Sequence, residues 1–301
     1  MDTLVAYSSG RWIRSAELSV AVDDVGFLLG ATVTERLRTF RGQVFRLDAH
    51  LQRMRRSLEI VGLDASGILG QIAAAVPEFV ERNRALIAAE DDWAIIAFAT
   101  PGIAGSGQPT VCVHGFPLPF GQWATQYDEG LSVVVSDVRQ VPPNCWPSQL
   151  KCRSRMHYYL ADRRAAAERP GARAVLLDQD GHLGEATTAN VLVYRDGEGL
   201  LSPPDEHILF GVSVGVVQEL AGQIGVPFVQ RHLTVDQLLA ADEVMLASTS
   251  VCLLPIVQCN DQQIGGGKPG ATYRGLLAAW NEMVGLDVAE QACRFAVRGG
   301  R

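Results

Sequence analysis

The chain has 301 residues and a mass of 32.5 kDa, and its 48% hydrophobic content is enough for one large domain or two of ordinary size. Its net charge of -7 and pI near 5.4 argue against a protein whose main ligand is nucleic acid or an anionic membrane. No apolar run approaches the roughly 18 to 20 residues that span a bilayer, and no signal peptide is recognisable, so we expect a soluble cytoplasmic protein that acts on small molecules.

The cysteines are scattered along the chain without a C-x-x-C pair, and no histidine lies near them at the spacing of metal ligands. The sequence therefore predicts reduced thiols, with neither a disulfide framework nor a metal site. The six positions are Cys112, Cys145, Cys152, Cys252, Cys259 and Cys293.

The first third alternates strands and helices. TVTERLRTF and QVFRL predict a β-hairpin with Arg41 and Gly42 in the turn, because apolar and polar residues alternate on both sides of a glycine. The following helix has Asp48 as its expected N-cap and a continuous apolar face, formed by Leu47, Leu51, Met54, Leu58 and Val61. A second helix, over about 66–84, leads to the strands DWAIIAFAT and PTVCVHGF.

Residues 118–130 mix proline, glycine and polar residues without a sustained period, so they are interpreted as an interdomain linker. This divides the chain into a small N-terminal domain, residues 1–117, and a larger C-terminal domain, residues 131–301.

The second half opens with the strand LSVVVSDV and a helix over about 155–168, followed by the short strands ARAVLLD, NVLVY and GLLSP. A helix over about 212–224, the strand PFVQR, the helix TVDQLLAA, the strands EVMLAS and LLPIVQC, and a helix over about 270–285 complete it. Mixed helices and hairpins in both halves predict an α/β (α+β mixed) fold and not a regular doubly wound sheet.

Lys151 is the first candidate for chemistry, at the point where a Pro-rich loop gives way to a helix. A lysine met without context is most often a solvated surface residue. Arg153 and Arg155, however, would disfavour a third positive charge, lower the pKa of the lysine and favour its neutral, nucleophilic form.

Glu185 is the second candidate. An acid in a hairpin usually faces solvent, but the neighbours of Glu185 are small enough to leave room for a bulky group, namely Gly184, Ala186, Thr187, Thr188 and Ala189. A carboxylate that faces a cavity needs a cationic partner, which a protonated pyridine nitrogen would supply.

Three stretches are candidates for binding a phosphate. Arg53 has the forked donors for this task, although it is equally consistent with a surface arginine beside Arg55 and Arg56. Val212 and Ser213 begin a predicted helix, whose free backbone N–H groups favour an anion. Ser248 and Thr249 end a strand with hydroxyl groups, a weak signal by itself.

Taken together, five ordered blocks resemble the class IV family of pyridoxal-phosphate (PLP) enzymes, which includes branched-chain and D-amino-acid aminotransferases and aminodeoxychorismate lyases. The resemblance covers about residues 20–285. The blocks are VFRLDAHLQRMRRSLEIVGL, LKCRSR, AVLLDQDGHLGEATTANVLVY, LLSPPDEHILFGVSVGVV and AADEVMLASTSVCLLPIV.

The resemblance implies pyridoxal 5'-phosphate as cofactor, bound covalently by Lys151, with Glu185 at its ring nitrogen. The remaining matches to the family's cofactor ligands are Arg53, Asn190, Val212, Ser213 and Thr249, with Ser248 beside them. The implied fold is fold-type IV: a small N-terminal α/β domain, a larger C-terminal domain with a barrel-like sheet, and the cofactor between them, usually in a homodimer.

The chain differs from the family in the motifs that bind the substrate. The Tyr-x-Arg of branched-chain enzymes is replaced by Trp93 and Ile95, and the Arg-x-His of the D-amino-acid type has no clear match. Thr34 and Arg36 share a strand face by two-residue alternation, and the resemblance turns that face toward substrate. With Trp93 and Arg153 they are the candidate substrate-binding residues, and Arg36 would favour a substrate carboxylate; a solvated Arg36 is about as consistent.

The function expected from this resemblance is amino transfer between an amino acid and a 2-oxo acid, the two small-molecule partners. Elimination of pyruvate by an aminodeoxychorismate-lyase-type enzyme is the alternative, because the same lysine and cofactor support it. A catalytically silent relative that binds PLP is a further alternative, motivated by the missing carboxylate-binding motifs.

Overall fold

The computed structural model describes residues 3–297, which divide into two compact units. The first comprises residues 3–118 together with Gln149–Ser154, and the second comprises Pro119–Ser148 together with residues 155–297. The sequence-based division, by contrast, assigned the segment with Lys151 to the C-terminal domain.

The first unit is a six-stranded antiparallel sheet with the strand order β2-β1-β6-β5-β3-β4. Its elements are β1 (Val5–Ser8), β2 (Arg11–Arg14), α1 (Val25–Leu28), β3 (Val33–Phe40), β4 (Gln43–Val44), α2 (Leu47–Ile60), α3 (Ala65–Asn83), β5 (Trp93–Thr100) and β6 (Thr110–Pro117).

The core of this unit lies where α2 and α3 pack on the sheet. Met54 and Leu58 of α2 and Phe79 of α3 are buried with Leu37 of β3 and Ile95 of β5. The apolar face from which α2 is predicted is therefore the face that the helix packs against the sheet.

The predicted hairpin is confirmed as β3 and β4. Arg41 and Gly42 have φ values of 52° and 76°, the left-handed backbone that a tight two-residue hairpin turn requires. The prediction that Asp48 caps α2 is wrong. Arg46, with φ 51°, turns the chain directly into the helix, so α2 begins at Leu47 and Asp48 lies inside its first turn.

The second unit contains the larger sheet. Its elements are α4 (Gln126–Glu129), β7 (Leu131–Val135), α5 (Met156–Glu168), β8 (Arg173–Leu177), β9 (Leu183–Ala186), β10 (Ala189–Arg195), β11 (Gly199–Ser202), α6 (Val212–Gln223), β12 (Phe228–Gln230), α7 (Val235–Leu239), β13 (Glu243–Ser248), β14 (Cys252–Cys259), β15 (Gln262–Gln263), α8 (Ala271–Val284) and α9 (Val288–Phe295).

Six of these strands close into a barrel. They follow the order β10-β13-β14-β7-β8-β9, and β9 pairs again with β10. Closure is possible because β10 is shared: Ala189 and Asn190 pair with β9, whereas the far end of the strand, Val193–Arg195, pairs with β11. The barrel-like sheet implied by the family resemblance is thus present, and it leaves no open edge between β9 and β10.

The stretch interpreted as a linker is folded in the second unit. Phe120, Trp123 and Tyr127 are buried, and the Tyr127 hydroxyl donates to the Val251 carbonyl over 2.9 Å. These aromatic residues lie three and four positions apart, which places them on one side of a short helical path that ends in α4. The prolines and glycines of this stretch favoured its interpretation as a linker, although the aromatic spacing is that of a helix.

None of the helices within residues 3–297 combines the length and the apolarity that crossing a membrane requires.

Candidate functional site

The Lys151 segment is fixed to β3 by backbone hydrogen bonds. The Thr34 N–H donates to the Lys151 carbonyl over 3.0 Å, and the Arg153 N–H donates to the Thr32 carbonyl over 2.9 Å. The Lys151 N–H in turn donates to the Ser57 hydroxyl of α2 over 3.1 Å. None of these bonds uses the Lys151 side chain, so they would hold the segment in place with another side chain at this position.

Arg53 lies in an ion-pair network beside that segment. Its Nε and Nη2 donate to the two carboxylate oxygens of Glu35 at 2.8 and 2.7 Å, and His50 Nδ1 lies 2.8 Å from Oε2 of the same carboxylate. The Arg53 and Glu35 side chains are only 12% and 2% exposed. A buried bidentate pair fixes the plane of the guanidinium, so Arg53 is held in place and is not the solvated surface arginine of the alternative interpretation.

The charges of this network shift its pKa values. Burial of Glu35 opposes its charged form, but Arg53 and His50 outweigh burial and lower the pKa of this carboxyl. Burial also lowers the pKa of His50; Glu35 opposes this shift, whereas Arg53 and Lys151 add to it. Lys151 therefore lies close to this network. The sequence did not point to Glu35 or His50. Glu35 shares the helix-covered face of β3 with Val33 and Leu37, because side chains two positions apart in a strand lie on the same face.

Arg36 lies on the opposite face of the sheet, and the register through Ile96 places His114 of β6 on the same face, a residue that the sequence did not suggest. The Arg36 guanidinium lies 5.0 Å from the centre of the Phe116 ring. Burial, followed by the charges of Arg153 and Arg36, lowers the pKa of His114 to about 4. Two of the substrate candidates, Arg36 and Arg153, therefore contribute to one positively charged region of the first unit, which favours an anionic ligand.

The depressed pKa of His114 predicts acid-dependent stability. The unfolded state takes up the proton near pH 6.5 and the folded state near pH 4, so the free energy of unfolding should fall by up to ~3 kcal/mol as pH decreases through this window. Urea unfolding at a series of pH values measures this slope. In His114→Gln, the free energy of unfolding should depend less steeply on pH. Some dependence should persist, because the lowered pKa values of His50 and Glu35 also cost stability as pH falls. An unchanged slope in the variant would contradict the assignment.

The other two substrate candidates have different positions. Trp93 is 1% exposed and packs edge-on against Phe79, with ring centroids 5.4 Å apart, in the core under α3. It therefore faces away from Arg36 and is a core residue of the first unit. Thr34 is also buried; its hydroxyl donates to the Ala97 carbonyl over 3.2 Å, and its N–H holds Lys151 as described.

Glu185 is the centre of a hydrogen-bond network in the second unit. Its carboxylate is 5% exposed and accepts from the Tyr158 hydroxyl at 2.8 Å, the Leu209 N–H at 2.6 Å and Asn190 Nδ2 at 3.1 Å, with Gln140 Nε2 at 3.5 Å. These four donors are neutral. Together they hold the buried carboxylate in a fixed position and orientation.

Sheet register explains why Asn190 reaches Glu185. The two residues are paired across the β9–β10 turn, and Asn190 is paired on its other side with Ala247 of β13. Ser248 and Thr249 follow Ala247 directly, so they lie at the same end of the barrel as the glutamate. Asn190 Nδ2 also donates to the Leu209 carbonyl over 3.0 Å, which ties the loop before α6 to this end.

The helix start predicted at 212 is confirmed. Gly211 precedes α6 and, among the described residues, offers its first turn no side-chain cap. A Cβ at Gly211 would lie 2.4 Å from Asn190 Oδ1, so any larger residue would displace the Asn190 side chain from its present position. The N–H groups of Val212 and Ser213 consequently begin a twelve-residue helix beside Asn190, where the helix dipole favours an anion.

Tyr158, Gln140 and Leu209 were missed by sequence reasoning. Each comes from a different segment, and the Leu209 contribution is a backbone N–H that residue type cannot reveal. The structure brings together Glu185, Asn190, Val212 and Ser213 in the second unit, and Lys151 and Arg53 in the first.

Comparison with known proteins identifies the family. The model of the family "Amino-transferase class IV" matches residues 32–259. D-alanine aminotransferase of Bacillus licheniformis is 27% identical over 292 residues, covering 94% of this chain and 98% of that protein.

Solved structures show the same fold. The T.th. branched-chain amino acid aminotransferase with pyridoxamine 5'-phosphate has a TM-score of 0.83 at 23% identity, covering 93% of this chain and 94% of that one. The Escherichia coli branched-chain enzyme has a TM-score of 0.81 at 21% identity, covering 95% and 94%. The fold class, the family and amino transfer expected from the sequence are confirmed: this chain belongs to the class IV aminotransferases.

Proposed function

We propose that this class IV aminotransferase uses pyridoxal 5'-phosphate to transfer an amino group between an amino acid and a 2-oxo acid. The observation that carries the proposal is the Glu185 carboxylate, which is buried and held in place by hydrogen bonds from Tyr158, Asn190 and the Leu209 N–H. Such a group suits the protonated ring nitrogen of the cofactor, because a buried anion gains most from a cationic hydrogen-bond donor.

The donors in the chain also suit the phosphate of the cofactor. We assign its ligands to the backbone N–H groups of Val212 and Ser213, the hydroxyl groups of Ser248 and Thr249, and the guanidinium of Arg53. The uncapped start of α6 supports this assignment in the second unit. The pairing of Arg53 with Glu35 supports it in the first, because an oriented guanidinium loses less entropy when it binds.

Lys151 is the proposed covalent attachment point, and the composition of the chain makes this assignment unusually easy to test. The whole sequence contains only two lysines, Lys151 and Lys268. Lys268 lies between a glycine run and Pro269, outside the blocks that resemble the family. Borohydride reduction of the holoenzyme would fix the cofactor to its lysine. Peptide mass mapping then needs to distinguish only Lys151 from Lys268.

The proposed chemistry divides between the cofactor and the chain. When bound, the cofactor supplies an electron-withdrawing ring that acidifies the substrate α-carbon. Lys151 Nζ would remove the α-proton of the substrate as a general base and deliver it to C4′ of the cofactor as a general acid. The Glu185 carboxylate keeps the ring nitrogen protonated, and Asn190 together with the Leu209 N–H keeps that carboxylate in place.

We propose Arg36, with Arg153 beside it, as the group that binds the substrate carboxylate. Arg36→Leu should raise KM for the amino donor roughly 10- to 100-fold, because a charge-assisted hydrogen bond contributes about 1.5–3 kcal/mol. Steady-state kinetics measures the effect, and Arg163→Leu, an exposed position on α5, is the matched control. An unchanged KM in Arg36→Leu would exclude Arg36 from this role.

We further propose a homodimer in the cytoplasm. The homodimer rests on the family resemblance, and light scattering should give twice the chain mass of 32.5 kDa. The six free cysteines support a reducing compartment, because no disulfide joins them in the described structure.

A screen of amino donors and acceptors tests the function. Purified holoenzyme should show a cofactor absorbance change with at least one amino acid and form the corresponding 2-oxo acid. The screen needs D-alanine, L-branched-chain amino acids and aminodeoxychorismate, since the named relatives include D-alanine and branched-chain enzymes. Pyruvate formed from aminodeoxychorismate without an acceptor would favour a lyase, and a spectrum unresponsive to every donor would favour a silent cofactor-binding relative.

A further inference from the structure

Three of the six histidines of the chain converge in the second unit around one aspartate. We call this group the His182 cluster; it consists of Asp178, His182, His207 and His232. Asp178 and His182 flank the turn between β8 and β9, His207 lies in the loop between β11 and α6, and His232 follows β12. None of these side chains contributes to the proposed cofactor chemistry.

The aspartate is oriented by its own turn. Asp178 Oδ1 accepts the N–H groups of Asp180 and His182 at 2.9 and 2.8 Å. Its second oxygen, Oδ2, is thereby directed toward the histidines and lies 3.4 Å from His182 Nδ1 and 3.9 Å from His207 Nδ1.

The third histidine lies against both others. The His232 ring centroid is 4.6 Å from that of His182 and 4.9 Å from that of His207. One ligand atom from each of Asp178, His182 and His232 can be chosen such that all lie within 4.8 Å of one another. Ligand atoms around a tetrahedral zinc ion are about 3.3 Å apart, given zinc–nitrogen bonds of about 2.0–2.1 Å. Rotation of the side chains would therefore bring Asp178, His182 and His232 to one ion. His207, whose Nδ1 lies 3.9 Å from Asp178 Oδ2, is near enough to become a fourth ligand.

The backbone of the cluster is built before any ion binds. The Leu183 N–H donates to the Leu233 carbonyl over 2.7 Å, next to His182 and His232. The Arg231 N–H donates to the Ser202 carbonyl over 3.0 Å, and the His207 N–H donates to the Pro204 carbonyl over 3.0 Å. The segments that carry His182 and His232 are thus tied to each other and to β11 through backbone atoms, and none of these bonds uses an imidazole nitrogen.

One of these nitrogens, His182 Nδ1, is inaccessible to solvent and makes no hydrogen bond within residues 3–297. Asp178 Oδ2 lies 3.4 Å away without the geometry of a hydrogen bond. Leaving a buried polar atom unsatisfied costs about 1–3 kcal/mol, so such an atom calls for an explanation. A metal ion provides one, because it would bind the lone pair of a neutral imidazole nitrogen.

We propose that the His182 cluster binds one divalent transition-metal ion of the zinc type. Three imidazoles and one carboxylate form a donor set that suits zinc, cobalt and nickel better than magnesium or calcium, which prefer oxygen ligands. Spacing rules overlook the site because its histidines lie 25 residues apart, at positions 182, 207 and 232.

The ion would also stabilise the loop that carries the Leu209 donor to Glu185. His207 lies two residues before Leu209, whose N–H donates to Glu185 Oε1 over 2.6 Å. Binding of His207 would fix the loop between β11 and α6 and so stabilise the position of that donor. The proposed ion is therefore a structural ion that holds the loop, and it takes no part in the reaction.

Titration of tag-free holoenzyme with ZnCl₂ by isothermal calorimetry tests the proposal. We expect one equivalent per chain with a Kd below about 10 μM, and a rise in Tm of roughly 5–10 °C at zinc concentrations about 100 times Kd. Titration with Co²⁺ adds an absorbance readout that distinguishes nitrogen and oxygen ligands from the thiolates of exposed Cys145 and Cys293.

The variants separate this site from binding elsewhere. The double variant His182→Asn/His232→Asn should weaken zinc binding at least about 100-fold, whereas His157→Asn, which removes a histidine outside the cluster, should retain it. Circular dichroism without zinc checks that the double variant is folded; if it is not, His207→Asn alone serves as the test. Binding weaker than about 10 μM, or equal binding by the cluster variants and His157→Asn, would overturn the proposal, and neither result bears on amino transfer.

Discussion

Replacing Lys151 by alanine is expected to lower the rate of amino transfer by roughly 10³-fold or more and to remove the absorbance of covalently bound cofactor. On the proposed assignment, the variant loses both the attachment point of the cofactor and the base that moves the α-proton. It should remain folded, because the bonds of Lys151 to Thr34 and Ser57 use its backbone atoms. Stopped-flow and steady-state assays, combined with absorbance spectra, measure the two effects.

Lys268→Ala is the matched control for this experiment, since it removes the other lysine of the chain. It should retain both cofactor absorbance and turnover. If Lys268→Ala instead lost the covalent cofactor, or if Lys151→Ala turned over normally, the assignment of Lys151 would be wrong. Unfolding midpoints of both variants show whether any loss of activity reflects a loss of structure.

Replacing Glu185 by alanine is expected to reduce turnover by roughly 10²- to 10³-fold while cofactor is retained. The carboxylate is proposed to keep the ring nitrogen protonated, and its loss weakens the electron withdrawal on which proton removal depends. The phosphate ligands and Lys151 are unchanged in this variant, so bound cofactor should persist. Single-turnover kinetics at saturating donor separates this chemical step from substrate binding.

The same substitution should also affect stability. It removes the acceptor of the Leu209 N–H, the Tyr158 hydroxyl and Asn190 Nδ2, and each buried donor left unsatisfied costs about 1–3 kcal/mol. Glu185→Gln preserves the volume and one acceptor oxygen but removes the charge, so it should be more stable than the alanine variant and similarly slow.

Glu168→Ala, at an exposed position on α5, is the control for loss of a carboxylate. It should change neither turnover nor stability measurably. A Glu185→Gln enzyme with normal turnover would show that the charge of Glu185 is dispensable and that its function is to organise the surrounding donors.

Local patterns were sufficient for most elements and for the residue types at the site. The period of Met54 and Leu58 predicts α2, the Arg41–Gly42 turn predicts the hairpin, and the helix predicted at 212 begins there. These predictions succeed because helix periodicity and turn preferences act over a few residues. The capping prediction at Asp48 fails because a left-handed Arg46 starts the helix earlier, which composition does not reveal.

Partners distant in sequence could not be predicted. Glu35 was not recognised as the carboxylate that orients Arg53, because the pair spans a strand, a turn and the start of a helix. Trp93 was expected near substrate, but the alternation of β5 places it in the core with Phe79. In the second unit, the Leu209 N–H is a donor to Glu185 only because of the path of its loop.

The sequence by itself determined the family and the mixed α/β elements, and it supplied the side chains proposed to bind and use the cofactor, since these depend on residue type and local order. Only the tertiary structure decided how the groups are held: the register that pairs Glu185 with Asn190, the closure of the barrel at β10, and the meeting of His182, His207 and His232. Such arrangements arise from long-range packing and strand pairing, which bring together residues that no local pattern connects.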